Sequence, residues 1–391
     1  MANTFNLGNG SWAQKTEKLL AYNAENDNYK PLPFDFDRAS TATRVNRDGL
    51  IETVATDEPR IDFLNNTKGH LLLEPSRSNL VTYSEDFSEW TKQNAGTGTA
   101  PIVTSNNTIS PDGTQNADKV VFNKGTGTTT ADLSILTTSF TSQSNTASIY
   151  IKADSPQRIV IRNSSTWVGY DIGTEWTRIE KTDTGSSIQI GLRDGYGIAN
   201  VPNTATVYLW GAQVEAGSYA TSYIPTSGSA VTRSADARTD VALPSSILSQ
   251  TEGTIFFNIN RKGSTGVANQ ELIVLETPNR SVGGLIRVLT QATKNVIRVL
   301  FQINGGIPFD VNVQGIYTPF DTDLKIAIAF KSGQTAIYVN GVSTNTSTST
   351  FTIPEKFDNF YLNFSQEAAT FKDVKLYNTR LSNSELQALT T

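Results

Sequence analysis

The chain has 391 residues, of which 18% are charged, with a formal net charge of −5, one histidine and no cysteine. This excludes disulfides, thiolate-bound zinc, a catalytic thiol and any site built on several histidines. It also argues against a nucleic-acid partner, whose phosphates call for clustered Lys and Arg. Such a length implies two or three domains, and abundant Gly, Ser, Thr and Asn with sparse helix formers points to an all-β protein with polar turns.

Residues 1–78 read as an extended N-terminal arm. The opening MANTFNLGNGSW has no cationic stretch before an apolar core, so no secretory signal is expected. No apolar run approaches the roughly 20 residues that span a bilayer, so membrane insertion is not expected either. A protein of this kind acting outside a cell would leave by lysis or within a particle. Ser11–Ala24 predicts a helix, with Ser11 as N-cap and Trp12, Leu19, Leu20 and Tyr22 as its apolar positions. Pro31–Asp37 is extended, because its prolines discourage helix. Arg44–Glu52 predicts a hairpin on Asp48-Gly49, the pair that a type I′ turn prefers. Pro59–Phe63 and His70–Pro75 are further short extended pieces. With so little continuous apolar surface, the arm needs a partner, either another chain or its own following domain.

Residues 79–225 carry short candidate strands separated by turn signals: Ala117–Phe122, Ala147–Lys152, Arg158–Arg162, Trp176–Glu180, Ser187–Leu192 and Val207–Trp210. The last of these opens VYLWGAQVEAGSYATSYIPTSGSAVTRSAD, in which Ile224-Pro225 ends pairing and residues 226–238 form a linker. Residues 239–391 predict a second sandwich. Ile255, Phe257 and Ile259 alternate, as do Ile297, Val299, Phe301 and Ile303. Asn340-Gly341 marks a hairpin, and Phe371–Tyr377 is a strand. After it, Ser382 to Glu385 forms a capping box with Leu381 and Leu386 placed as a hydrophobic staple, so a short C-terminal helix follows.

Two resemblances rest on these residues. WGAQVEAG…ATSYIPT…VTRSAD, with RSNLVTYSEDFSEW at the domain start, resembles the carbohydrate-binding-module-like sandwich of tailed-bacteriophage structural proteins. IAIAFKSGQTAIYVNGV followed by FKDVKLYNTRLSNSELQAL is similar to the end of laminin-G-like, concanavalin-type jelly rolls. GNGSW and FDFDRASTATRVNRDGLIE resemble leader segments of phage virion proteins. The resemblances imply two consecutive antiparallel β-sandwiches (jelly rolls) behind an attachment arm. In the jelly roll, the first strand, GTIFFNI, should lie beside the last, FKDVKLYN. They also imply a virion location, residues 1–78 docked to other virion proteins, a bacterial surface glycan as ligand, and a homo-oligomer of fibre type, taken as a trimer.

Sugar binding needs aromatic platforms. Trp210 and Trp176 lie in strong strand patterns and read as core, whereas Trp167 and Tyr170 in SSTWVGYDIG and Tyr196 in DGYG are the glycan-site candidates. Each has the plain alternative of ordinary packing. The resembled families often hold a structural calcium, for which Glu85, Asp86 and Glu215 are candidates; solvated surface acids are the alternative. No enzyme is expected. Glycosidases need two carboxylates facing one groove, yet Glu271 with Glu276 and Glu175 with Glu180 are five apart, on opposite faces of any strand. Asp35 and Asp37 share a face but lie in the arm, and His70 has no nucleophile elbow near it. The leading expectation is a glycan-binding virion appendage; the alternatives are non-adhesive decoration of capsid or tail and, less favoured, a polysaccharide hydrolase.

Overall fold

The computed structural model describes residues 2–15, 18–240, 242–243, 247–262, 270–279, 283–291, 296–303, 306–314, 323–362 and 368–391. Among these the fold is all-β. The helical segments are one 3-10 turn at Phe87–Glu89 and the C-terminal helix Asn383–Thr390. The chain divides into two compact units, Ala42–Thr53 with Arg77–Arg233, and Met1–Thr41 with Val54–Ser76 and Ser234–Thr391.

The first of these units is built on an eight-stranded antiparallel sheet. Its order is Thr99–Thr108, Ala117–Asn123, Thr204–Ala216, Leu133–Lys152, Thr177–Arg193, Gln157–Asn163 and Thr166–Ile172, with Thr91–Ala95 added to Leu133–Lys152. Two strands are too long for one layer. Leu133–Ser139 pairs with Ser187–Arg193, Gln143–Ile151 pairs with Thr177–Gly185, and the register breaks between. The sheet therefore doubles over, and its halves share one apolar core. Leu136, Ile159, Ile161, Ile188 and Ile190 come from one half, and Phe122, Ile149, Ile151, Val207 and Leu209 from the other. Each such side chain stabilises by about 1.5–3 kcal/mol when fully buried. The two expected strands Trp176–Glu180 and Ser187–Leu192 are one strand. The polar run between them alternates exposed and half-buried residues across the bend instead of turning.

Gly211 explains the WGAQVE stretch. At φ +63 it forms a bulge opposite Ile149, so Val207 and Leu209 before it and Ala212 and Val214 after it all face the core. Trp210 consequently lies on the outer face, buried against Tyr223, Tyr150, Ile51 and Ala117. Ile51 comes from the Ala42–Val45/Ile51–Val54 hairpin. That hairpin does not use the expected type I′ turn. Of Asp48 and Gly49 only Gly49 has a positive φ, and the Asn46 side chain accepts the Asp48 and Leu50 N–H groups instead. Asn79 satisfies all four of its amide bonds: it donates to Ala212 and Ile224 carbonyls and accepts from the Val81 and Val214 N–H groups.

The second unit is a sandwich. One sheet runs Trp12–Lys15, Lys18–Asn23, Phe5–Gly8, Ala368–Tyr377, Glu252–Lys262, Leu324–Lys331, Thr335–Val339, Val342–Ser347. The other runs Gly306–Gln314, Val296–Ile303, Gly284–Thr290, Glu271–Glu276, Asn359–Leu362. Glu252–Lys262 pairs with Ala368–Tyr377, as the jelly-roll resemblance implied. Asn340 and Gly341, at φ +44 and +80, close the expected hairpin with a type I′ turn. The capping box at Ser382 and Glu385 is formed, and Leu381 and Leu386 are buried together.

Three features depart from the linear domain division. No helix spans residues 11–24: Trp12–Lys15 and Lys18–Asn23 are strands, and burial in the second has period two, at Leu19, Ala21 and Asn23. Residues 1–78 are not a separate arm. Phe5–Gly8 and His70–Leu73 lie end to end on one edge of Ala368–Tyr377, and Phe5, Leu7, Leu71 and Leu73 enter the same core as Ile255, Phe257 and Val374. Residues 226–238 are also structured: Val231–Arg233 pairs with Arg77–Asn79, and Ala237–Asp240 pairs with Phe34–Asp37. Beside that last pairing the buried Asp236 carboxylate accepts from Arg38 at 3.0 Å and also from Arg60, which reaches Glu74 at 2.8 Å. Buried charges of this sort are tolerated only when paired.

Candidate functional site

Among the described residues Thr166–Ile172 is an edge strand, paired only with Gln157–Asn163. On that neighbour Ile159 and Ile161 face the core, so Val160 and Arg162 face outward. Trp167 sits opposite Arg162 on this outer face and packs with Ile135 and Val160. Ile198 and Val201, from the segment after Arg193, cover it, leaving the indole only 7% exposed. The Ser/Gly-rich surroundings of Trp167 thus do not set its exposure; its cover arrives from elsewhere in the chain. Tyr170 points the other way and is half-buried against the main core, where burial raises its phenol pKa. The structure therefore brings Trp167 and Tyr196 together and leaves Tyr170 apart.

Tyr196 is 57% exposed. It occupies the second position of a turn in which Ile198 N–H donates to Gly195 O at 3.2 Å, with Tyr196 at φ +57 and Gly197 at φ +73. Two central residues at positive φ characterise a type I′ turn, and a side chain there costs about 1–2 kcal/mol relative to glycine. The turn is held at its base. Lys124 is buried and its Nζ donates to Asp194 at 2.6 Å, to Gly127 O at 3.0 Å and to Asn203 at 3.2 Å. The Tyr196 ring lies 6.2 Å from that of Trp167, inclined by 37°.

Two arginines complete the patch. The Arg193 guanidinium carbon is 5.1 Å from the Tyr196 ring centre and 5.7 Å from that of Trp167, and its Nε donates to Thr130 O at 2.9 Å. Arg162 lies 6.0 Å from Trp167, and its Nε donates to Ser164 O. Sequence reasoning missed both, because strand pairing and a loop return, not spacing, make them neighbours. Cation–aromatic contacts of this kind stabilise by about 0.5–1 kcal/mol at exposed sites.

The calcium candidates do not converge. Glu215 is buried, accepts the N–H and hydroxyl of Thr221, and has its carboxyl pKa raised by desolvation. Glu85 accepts from the Tyr223 hydroxyl at 2.7 Å and from Asn116 at 3.1 Å. Asp86 caps the 3-10 turn through Ser88 N–H at 3.0 Å. Among the described residues no group of three or more acidic or histidine side chains is arranged to hold a metal ion. In the other unit, a cavity of about 260 Å³ is lined by Leu19, Leu32, Phe34 and Phe36, with Lys18 and Asp35 ion-paired at its rim.

Neither a protein-family model nor a curated protein sequence matches the chain. Several solved structures are similar to parts of it. They include the Ruminococcus gnavus IT-sialidase CBM40 bound to α2,3-sialyllactose (15% identity over 37% of this chain and 84% of that one, TM-score 0.30). Another is the binding domain of botulinum neurotoxin serotype G (16%, 36% and 36%, 0.30). A third is the binding domain of Paraclostridial Mosquitocidal Protein 1 (15%, 38% and 39%, 0.32). The match spans little more than a third of the length of the last two.

Proposed function

We propose that the protein is a glycan-binding appendage of a bacteriophage virion, with Tyr196 as its sugar platform. The virion assignment rests on the sequence resemblances. The glycan assignment is carried by one observation: a solvent-facing tyrosine, held in a strained turn and backed by Trp167 and Arg193. Residues in sparsely populated backbone regions cluster at functional sites, and an exposed aromatic face suits the apolar face of a sugar ring. A single platform gives weak binding; many copies on one particle make it effective. On this proposal the sandwich reads glycan without cleaving it. Attachment to the particle uses folded surface, since the strands of residues 1–78 are built into the two units. A homotrimer, proposed by analogy with fibres, is checked by light scattering. The test of the glycan assignment is binding of purified protein to host cells with polysaccharide competition. Tyr196→Ala should abolish the competed signal; an unchanged signal would remove Tyr196 from the site.

Non-adhesive decoration of the particle is the second reading. A specific observation favours it: of the aromatic side chains described, only Tyr29 and Tyr196 are substantially exposed. Failure of wild-type protein to bind host cells, with retained docking onto particles that lack it, would select this reading.

A further inference from the structure

Resting on the Tyr196 site assignment, we infer that its ligand is an acidic glycan, one whose sugar ring bears a carboxylate, and that Arg193 reads that group. Several arginines elsewhere in the chain are matched to acids: Arg38 and Arg60 to Asp236, Arg44 to Glu52, Arg158 to Asp171 and Arg298 to Asp310. Among the described residues, Arg193 and Arg162 have no carboxylate within ion-pair distance. Arg193 spends only its Nε on the protein, on Thr130 O. Arg162 spends its Nε on Ser164 O and one terminal nitrogen, at 3.4 Å, on Gln189. Both terminal nitrogens of Arg193 remain available as a fork, the geometry that carboxylates accept bidentately.

Of the surrounding acids, Asp132, one residue before the Leu133 that pairs with Arg193, accepts from the N–H and hydroxyl groups of Thr97 and Thr129, and three more are ion-paired. Asp194 is paired with Lys124 at 2.6 Å, Asp171 with Arg158 at 2.6 Å and Asp183 with Lys181 at 3.3 Å. Arg193 and Arg162 thus stand beside the aromatic rings without an ion-pair partner among the described residues, on a chain of net charge −5. These cations are also pre-aimed. The Nε bond and two ring faces hold the Arg193 guanidinium, so less rotamer freedom is lost on binding. A neutral sugar would use the Tyr196 face alone, whereas a carboxylated one would add charge-assisted bonds to Arg193, with Arg162 adding longer-range attraction.

The test uses the full-length protein and a fixed panel: oligogalacturonate, oligomannuronate and sialyllactose, each beside its carboxyl-reduced form, measured by calorimetry at two salt concentrations. The expected result is at least one acidic member bound about tenfold or more tighter than its reduced counterpart, with the difference shrinking in high salt. Arg193→Gln should collapse that acid-to-neutral ratio toward one, Arg193→Lys should retain part of it, and Tyr196→Ala should remove binding of both forms. Circular dichroism and thermal melts establish that each variant is folded. Equal binding of acidic and reduced forms through Tyr196 overturns the acidic-ligand inference and leaves the glycan assignment standing. If no panel member binds, or if Tyr196→Ala binds like wild type, the glycan assignment falls and this inference with it.

Discussion

The Lys124 ammonium lies 2.6 Å from the Asp194 carboxylate and 3.2 Å from the Asn203 side-chain oxygen. One buried cation thus ties both ends of the loop bearing Tyr196 to the end of the Ala117–Asn123 strand. Lys124→Met should lower stability by about 2 kcal/mol, below the roughly 3–5 kcal/mol of a broken buried pair because Asp194 can rehydrate. It should also weaken glycan binding in protein that is still folded. Urea denaturation and binding on the same sample check this; full-strength binding by the folded variant would refute the positioning role.

Gly211 sets the register of the Thr204–Ala216 strand. An alanine Cβ there would lie 3.1 Å from a Tyr150 ring carbon and would occupy a left-handed conformation. Gly211→Ala should therefore cost about 1–2 kcal/mol. Chemical denaturation measures it, and a neutral or stabilising result would mean that the bulge can relax.

Desolvation pushes the Glu215 carboxyl above its ordinary value, partly opposed by the Thr221 donors. A carboxyl raised in the fold contributes stability that is present below the ordinary glutamate range, about 4.3, and lost as pH rises through the folded value. Wild type should thus lose stability relative to Glu215→Gln as pH increases from about 4 to 7. Parallel denaturant titrations at several pH values decide this, and a constant difference between the two proteins would show that Glu215 does not titrate differently on folding.

Asp236 accepts from both Arg38 and Arg60, all three side chains being buried. Asp236→Ala leaves two guanidinium groups short of a counter-charge, and a loss of about 3–5 kcal/mol is expected in the unit containing residues 234–391. Hydrogen exchange localises the effect. Protection lost in Arg77–Arg233 instead would contradict the assignment of this network.

What the sequence disclosed was local. The Ser382–Glu385 capping box, the Asn340-Gly341 turn and the alternation in GTIFFNI each act over a few residues, and each is found in the fold. The N-terminal region misled because Leu20 and Tyr22 suit a helical face as well as the half-exposed face of a strand. What decides between them is pairing with Phe5–Gly8, whose other partner lies near residue 374. The candidate site divides in the same way. DGYG announced a turn that presents Tyr196, but the burial of Trp167 depends on Ile198 and Val201 folding over it. Arg193 and Arg162 carry no spacing that marks them; they meet only because Gln157–Asn163 pairs with both Thr166–Ile172 and Thr177–Arg193.

The pairing of Phe5–Gly8 with Asp373–Leu376 also bears on how the protein is made. At about 5–20 residues per second of synthesis, the first strand waits roughly 20–70 seconds for its partner to be translated. Throughout that interval Phe5, Leu7, Leu71 and Leu73, all buried in the finished fold, have no final place. Unpaired strands with apolar faces invite pairing between nascent chains on neighbouring ribosomes. Arg77–Arg233, by contrast, is complete in sequence long before translation ends, apart from a hairpin that precedes it. A ribosome stalled before residue 368 would therefore hold one finished sandwich flanked by two halves of another, each unable to close without the other.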